Sequence, residues 1–365
     1  MRGLLQVRFL MSMQGLPISV GATHVVFDTP AAERLVKLGA TNIVRALESL
    51  LMGPSGRDPL EHTRTRETWF SSCEECSDRD ESGERFDRLY SSDVRWEPPV
   101  VLWVTESLDD RVNLWRTCSW LREQGIPWSD VLVVEFQPVY GTMKRFPGPP
   151  RIPPFDCCGS IAHHPDEVLL DRLGKARPWP VERCERAVRL WESYVDENPL
   201  PFMEGCTRGV EGFPELTPLW GLLSCFFPRR TAEGTLRLSR YDELLLAILS
   251  VEEWQTPVKV ICNNSQLGFD LRDLVSCTGD LFLGDRLAHW AKYDASAAVE
   301  RAPGPKPTGH PMLSKVYRLT ERGMRLRDEG LEQLTDAPVL PIAGTEAYAS
   351  SAPWVLLENG QLARL

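Results

Sequence analysis

Three short runs without polar alternation most constrain what this chain can fold into: His24 to Phe27, Val100 to Thr105 and Val131 to Phe136. A strand that is apolar on both faces must be covered on both faces, the condition of a parallel sheet held between helices. The intervening segments have helical character. Thr29 followed by Pro30 reads as an N-cap and first helical residue, and Ala31, Leu35 and Leu38 then recur at helical spacing, which predicts a helix over 31–49. Ser107 or Asp109 caps a second predicted helix over 112–124, and Gly125, Ile126 and Pro127 turn the chain into the third strand. Strands alternating with helices predict a Rossmann-like α/β domain over 23–145.

Two stretches interrupt the apolar pattern. Residues 71–95, rich in Ser, Asp, Glu and Arg, read as a polar surface insertion in the first domain. Phe146 to Pro154 contains five prolines, which can neither continue a helix nor sit in a central strand, so it reads as a stiff connector. It opens a mainly helical region over 146–237, with helices predicted over 166–172, 181–195 and 214–227. From Leu238 to Leu365 the order is a helix capped by Ser239, a restart at Thr256 and Pro257, and an amphipathic helix over 280–293. A turn-rich tip over 303–309, a strand over 315–319 and a last helix capped by Thr320 follow. That layout predicts a winged-helix-like domain, so the expected fold class is α/β plus mainly α. Residues 1–22 carry short apolar stretches and no small-x-small cleavage pattern, and read as an N-terminal extension of a cytoplasmic protein.

A length of 365 residues is a prior for two or three domains, and 42% hydrophobic with 25% charged residues excludes wholesale disorder. Leu219 to Phe227, an uncharged stretch of about nine residues, is far short of the ~20 a membrane helix needs, so no membrane association is expected. Ten cysteines are scattered along the chain, several in apolar segments where a reduced thiol packs as a small hydrophobe. Cys73 and Cys76 have half-site zinc spacing, but adjacent Cys157 and Cys158 lack the matching gap, so no metal is expected and Cys73 reads as part of an exposed loop.

The residues now resemble a known family, the bacterial proteins of the domain-of-unknown-function 1835 type. Their amino-terminal pattern H-x-V-F-G-D-S-x-A-G-x-L is similar to His24-Val-Val-Phe27, Asp28, Ala31-Ala32 and Leu35. Gly53-Pro54, His62, Arg66, Trp69 and Leu102-Trp103 resemble its later elements. Leu238-Ser-Arg240, Glu243, Leu245-Leu246, Leu283-Gly-Asp285, Leu319-Thr-Glu-Arg-Gly323 and Ile342-Ala-Gly344 continue the likeness to the end of the chain. The resemblance implies architecture and no established reaction. This chain departs from the pattern at the first turn, Phe27-Asp28-Thr29-Pro30. The glycine before the acid is missing, Pro30 removes a donor, and Asp28 and Glu33 put negative charge where an anion would sit.

Ligands of open parallel sheets bind at the carboxyl ends of the strands, which collects Asp28, Thr29, Glu106, Asp109 and Asp110; the loop after Gly53-Pro54 adds His62, Arg64 and Arg66. This set suits a polar small-molecule ligand. No nucleophile or phosphate-loop motif accompanies it, and no cofactor is implied. Between Asp285 and Arg327, nine Lys or Arg face four acids within a chain of net charge -10. Lys306, Lys315 and Arg318 form the basic part of the expected wing, a candidate interaction surface. The acidic total disfavours DNA and favours a protein partner. The reading is a non-catalytic binding or regulatory protein with a diverged ligand-sensing α/β domain; the alternative is a small-molecule enzyme working through the strand-end carboxylates.

Overall fold

The structure is a computed structural model and describes residues 21–73, 87–136, 160–292, 297–306, 310–351 and 353–365. It is mixed α/β, and the described chain forms two compact units. The first holds residues 21–50, 87–136 and 160–192, the second 51–73 and everything described from 193 onward. These units follow boundaries other than those expected at 146 and 238, because 51–73 joins the carboxyl-terminal half. The extension before Gly21, residues 74–86 of the polar insertion, the proline connector and residues 307–309 of the tip lie outside the described residues.

In chain order the first elements are β1 (Thr23–Val26), α1 (Thr29–Lys37) and β2 (Asn42–Arg45). The predicted helix over 31–49 is therefore cut short. Gly39, at φ 99°, ends α1 where a side chain would be strained, and Asn42 to Arg45 then pairs in parallel with β1. β3 (Gly53–Pro54) and α2 (Pro59–Ser72) belong to the second unit. The chain returns to the first unit with β4 (Val100–Val104), α3 (Leu108–Glu123), β5 (Val131–Glu135), α4 (Asp166–Gly174), β6 (Arg177–Pro178) and α5 (Val181–Tyr194), whose last two residues belong to the second unit. The five strands lie in the order β2-β1-β4-β5-β6, all parallel except β6, which closes the edge antiparallel to β5. β4 is buried at every position, as its unbroken apolar run requires.

One face of this sheet buries Val26, Val101, Trp103, Val134 and Phe136 against Ala31, Leu35, Leu169 and Leu173. Trp103 stacks on Phe136 at 6.0 Å and donates its indole N–H to His24 Nδ1 at 3.0 Å. α3 starts at Leu108, four residues before the expected start, and is buried even at Asn113, Arg116 and Thr117. Asn113 Nδ2 donates to the Glu48 carbonyl at 2.7 Å, so this polar residue inside the unit is hydrogen-bonded.

The second unit continues with α6 (Leu200–Arg208), α7 (Leu216–Leu223), β7 (Arg229–Arg230), β8 (Leu236–Arg237) and α8 (Arg240–Ile248). Then come α9 (Pro257–Ile261), α10 (Gln266–Thr278), α11 (Asp280–Lys292), β9 (Val299–Pro303), β10 (Lys315–Leu319) and α12 (Glu321–Asp328). α12 stops at Asp328, because Gly330 turns at φ 99°. The tail, in which the sequence pattern predicted no element, forms β11 (Leu340–Ala343), β12 (Thr345–Ala347), β13 (Trp354–Leu357) and β14 (Leu362–Arg364). These strands find partners far back in the chain: β11 pairs with β3, and β13 with β7. β9 and β10 are an antiparallel pair, and Gln255 crosses β10 through two backbone hydrogen bonds with Tyr317 of 2.9 and 2.8 Å.

Asp242 is the polar centre of this unit. It is fully buried, and its carboxylate accepts from Arg286 Nε and a second guanidinium nitrogen, Trp290 Nε1 and Tyr348 OH, each at 2.8 Å, and from Ser239 Oγ at 3.0 Å. Burial alone would raise its pKa, but the charge of Arg286 and these hydrogen bonds hold it below the usual carboxylate value. α8, α11 and the segment after β12 are thereby joined through one carboxylate.

Candidate functional site

The carboxyl ends of β1 and β4 are adjacent, and the chain leaves β1 toward β2 on one side and leaves β4 toward β5 on the other, which is where a ligand of an open sheet belongs. Asp28, Thr29, Glu106, Asp109 and Asp110 all lie at these ends, in the first unit. Local chemistry then commits two of them. Asp28, rather than Thr29, is the N-cap of α1: its carboxylate accepts the Ala31 N–H at 2.5 Å, which moves the cap one residue ahead of the expected position. Asp110 is buried and accepts from Thr105 N–H at 2.9 Å and Thr105 Oγ1 at 2.7 Å. Burial pushes its pKa up to about 7, the Thr105 hydrogen bonds oppose the rise, and the charge of Asp28 adds to it. Thr29, Glu106 and Asp109 remain half-buried.

His24 lies on the same strand as the Asp28 turn and escaped the sequence reading, which used it only as a strand residue. It is 1% exposed, burial lowers its pKa to about 4, and its Nε2 has no hydrogen-bond partner among the described residues. Because Nδ1 accepts from Trp103, Nε2 carries the proton. The available signal was a lone histidine opening an otherwise apolar strand.

His62, Arg64 and Arg66 lie in the second unit on α2, not in the loop expected after Gly53-Pro54. Asp58 caps that helix by accepting from Leu60 and Glu61 N–H at 3.0 and 2.9 Å, and Pro59 fits its first turn. His62 is buried and accepts the Gly56 N–H at Nδ1, 3.2 Å away. Arg66 is also buried; it donates to the Met52 carbonyl at 2.6 Å and lies over the Trp69 ring at 4.7 Å. Gly53 is required beneath it, since its φ is 79° and a Cβ there would stand 2.6 Å from the Arg66 guanidinium. His62 and Arg66 therefore hold their own loop in shape, and Arg64 is exposed.

Cys73 is buried rather than in an exposed loop, and donates to Asp285 Oδ2 at 3.4 Å. Asp285 also holds His289 Nδ1 at 3.1 Å, and that hydrogen bond raises the histidine pKa. Cys76, Cys157 and Cys158 lie outside the described residues. Among the described residues no group of three His, Cys, Asp or Glu is placed to hold a metal ion. Cys118, Cys184, Cys206 and Cys225 are buried free thiols, and burial raises their pKa, to about 11 at Cys184 and Cys225 and about 12 at Cys206. Cys277 is disulfide-bonded, a departure from the expected set of reduced thiols.

On the hairpin, Lys306 is exposed and Lys315 and Arg318 are half-buried. Arg318 pairs with Glu300 at 2.6 Å and lies 4.7 Å from the Trp254 ring centre. No helix among the described residues is long and apolar enough to cross a membrane. Compared with known proteins, the chain matches no family model, no curated protein and no solved structure.

Proposed function

We propose that this chain is a cytoplasmic, non-catalytic binding or regulatory protein, with a Rossmann-like sensor domain and a winged-helix-like domain that engages a protein partner. The observation that carries the reading is the burial of α11, the helix preceding the hairpin. A helix that reads DNA presents an exposed face to the major groove. In α11, Phe282 to Ala288 and Trp290 are all buried, and Arg286 is bound to Asp242. The β9–β10 hairpin with Gln255 across it supports the winged-helix part, and the parallel order around β1 supports the Rossmann-like part. Beside Arg318, Trp254 is 39% exposed, with Val251 at 39% and Val258 at 37%; aromatic and arginine side chains together are enriched at protein interfaces. The buried free thiols support the cytoplasmic assignment, and the disulfide at Cys277 stands against it. Resemblance to the domain-of-unknown-function 1835 proteins belongs to the same proposal, supported by Ser239 and the Leu283–Asp285 motif lying in or next to the Asp242 network.

A second reading, an enzyme of polar small molecules, draws on Asp110, whose pKa of about 7 suits a general acid or base. Against it stand the two Thr105 hydrogen bonds and an exposure of 4%.

Fluorescence anisotropy with a random duplex at about 0.15 M salt tests the first reading. No saturable binding is expected, while a partner identified by cross-linking is lost in a Lys306→Glu, Lys315→Glu, Arg318→Glu variant. Tight, salt-sensitive DNA binding that this variant abolishes would overturn it.

A further inference from the structure

Away from the strand ends, the second unit contains a cleft of about 390 Å³, within the size range of small-molecule sites. Arg237 at the end of β8, Arg240 and Glu243 on the first turn of α8, and Arg327 and Asp328 at the end of α12 form its polar side. Leu244, Ala247 and Leu267 form an apolar wall.

The charges around it do not balance. Glu243 takes Arg229 at 2.9 Å, Arg240 at 3.0 Å and Arg237 at 3.9 Å, and Arg229 and Arg240 hold its pKa down against the upward push of burial. Arg240 also reaches Asp270 at 3.3 Å, and Arg327 is bidentate on Asp328 at 2.6 and 2.8 Å. Four guanidiniums thus face three carboxylates, leaving one positive charge over in a chain whose total is -10. Arg237 is held in place by the end of α12, donating to the Asp328 and Arg327 carbonyls at 2.8 and 3.0 Å. Each guanidinium carries five N–H groups, so acceptors among the described residues leave donors on all three cleft arginines.

We propose that this cleft binds an organic oxyanion, a carboxylate or phosphate ester with an apolar body. The head group takes the excess charge and unused N–H groups of Arg237, Arg240 and Arg327, and the body lies on Leu244, Ala247 and Leu267. The site is separate from the proposed protein-binding surface, since Trp254, Lys306, Lys315 and Arg318 do not line it. Either proposal can fail while the other stands.

Calorimetric titration of the full chain with phenyl phosphate, benzoate and inorganic phosphate tests it. Saturable binding of phenyl phosphate or benzoate is expected, with inorganic phosphate about tenfold weaker because it leaves the apolar wall bare. Whichever aromatic probe binds more tightly identifies the head group. Arg327→Gln should weaken that probe about tenfold through loss of a charged hydrogen bond. This side chain is 27% exposed and, among the described residues, pairs only with its neighbour Asp328, so the fold is retained. Ala247→Phe, which fills the apolar side and leaves every arginine in place, should weaken the probe further; if that variant does not fold, Arg327→Gln decides alone. Binding of neither aromatic probe at millimolar concentration, inorganic phosphate bound as tightly as phenyl phosphate, or affinities unchanged in Arg327→Gln would each overturn the proposal.

Discussion

Both units bury an arginine completely, yet they neutralise it differently. In the second unit Arg286 meets a single carboxylate, and Asp242 is hydrogen-bonded from Arg286, Trp290, Tyr348 and Ser239. The remaining Arg286 amino group donates to the Pro338 carbonyl at 2.9 Å. In the first unit Arg116 lies between two carboxylates, Asp87 at 2.5 Å and Glu48 at 3.2 Å, with the Tyr90 ring 5.3 Å away and its Nε without a hydrogen-bond partner among the described residues. One charge pair is balanced and saturated; among the described residues the other sets two carboxylates against one guanidinium. Because breaking a buried pair is costly mainly through the uncompensated charge it leaves, the same substitution has different consequences in the two places.

The largest expected effect is therefore at Asp242. Asp242→Asn leaves Arg286 without its counter-ion and lowers unfolding stability by up to about 5 kcal/mol, read from urea denaturation. Replacing both partners with Asp242→Leu and Arg286→Met costs less than either single change if charge balance is what matters.

Next in size is a pH effect within the first unit, where two buried groups act in opposite directions. Asp110, at about 7 in the fold, lies above its ordinary 3.8, so its stabilising contribution is complete below 3.8 and lost as pH rises through 7. His24, at about 4, lies below its ordinary 6.5, so its contribution is complete above 6.5 and lost as pH falls toward 4. The two trends offset each other in wild type. Asp110→Asn keeps an acceptor for Thr105 and removes the charge, so between pH 4 and 8 the stability difference should move by about 4 kcal/mol in favour of the variant. A difference that does not change with pH would show that Asp110 is not held protonated.

Asp87→Asn should cost only about 1 kcal/mol, since Arg116 retains Glu48 and the cluster loses its excess charge as well as one hydrogen bond. A loss as large as that of Asp242→Asn would break the comparison between the two arginines. Smallest is the exposed pair on the hairpin: Glu300→Gln should change thermal stability by less than ~1 kcal/mol, because both side chains are partly in water.

The parallel strands were legible because an apolar run without alternation has only one way to be buried, and β4 shows it. Helix starts at Ser239, Thr256 and Thr320 were legible for a similar reason, since each cap bonds a backbone N–H within three residues: Ser239 to Asp242, Thr256 to Lys259 and Thr320 to Gly323. β2 was hidden because Asn42 to Arg45 is short and polar at both ends, and its strand conformation depends on β1 being alongside. The tail strands were hidden too, since β11 and β13 depend on partners at Gly53 and Arg229.

The strand-end set shows the same division. The sequence alone determined that Asp28, Glu106 and Asp110 would gather at the ends of parallel strands, because strand direction follows from the alternation of strand and helix. It also determined local caps and the chain's overall negative charge. Only tertiary structure decided that His62 and Arg66 would turn inward to hold their own loop, that Arg286 would meet Asp242 across 44 residues, and that three arginines would converge on one cleft. The physical reason is range: capping and periodicity act within a few residues, whereas burial of a charge and the shape of a cleft depend on chain segments that folding alone brings together.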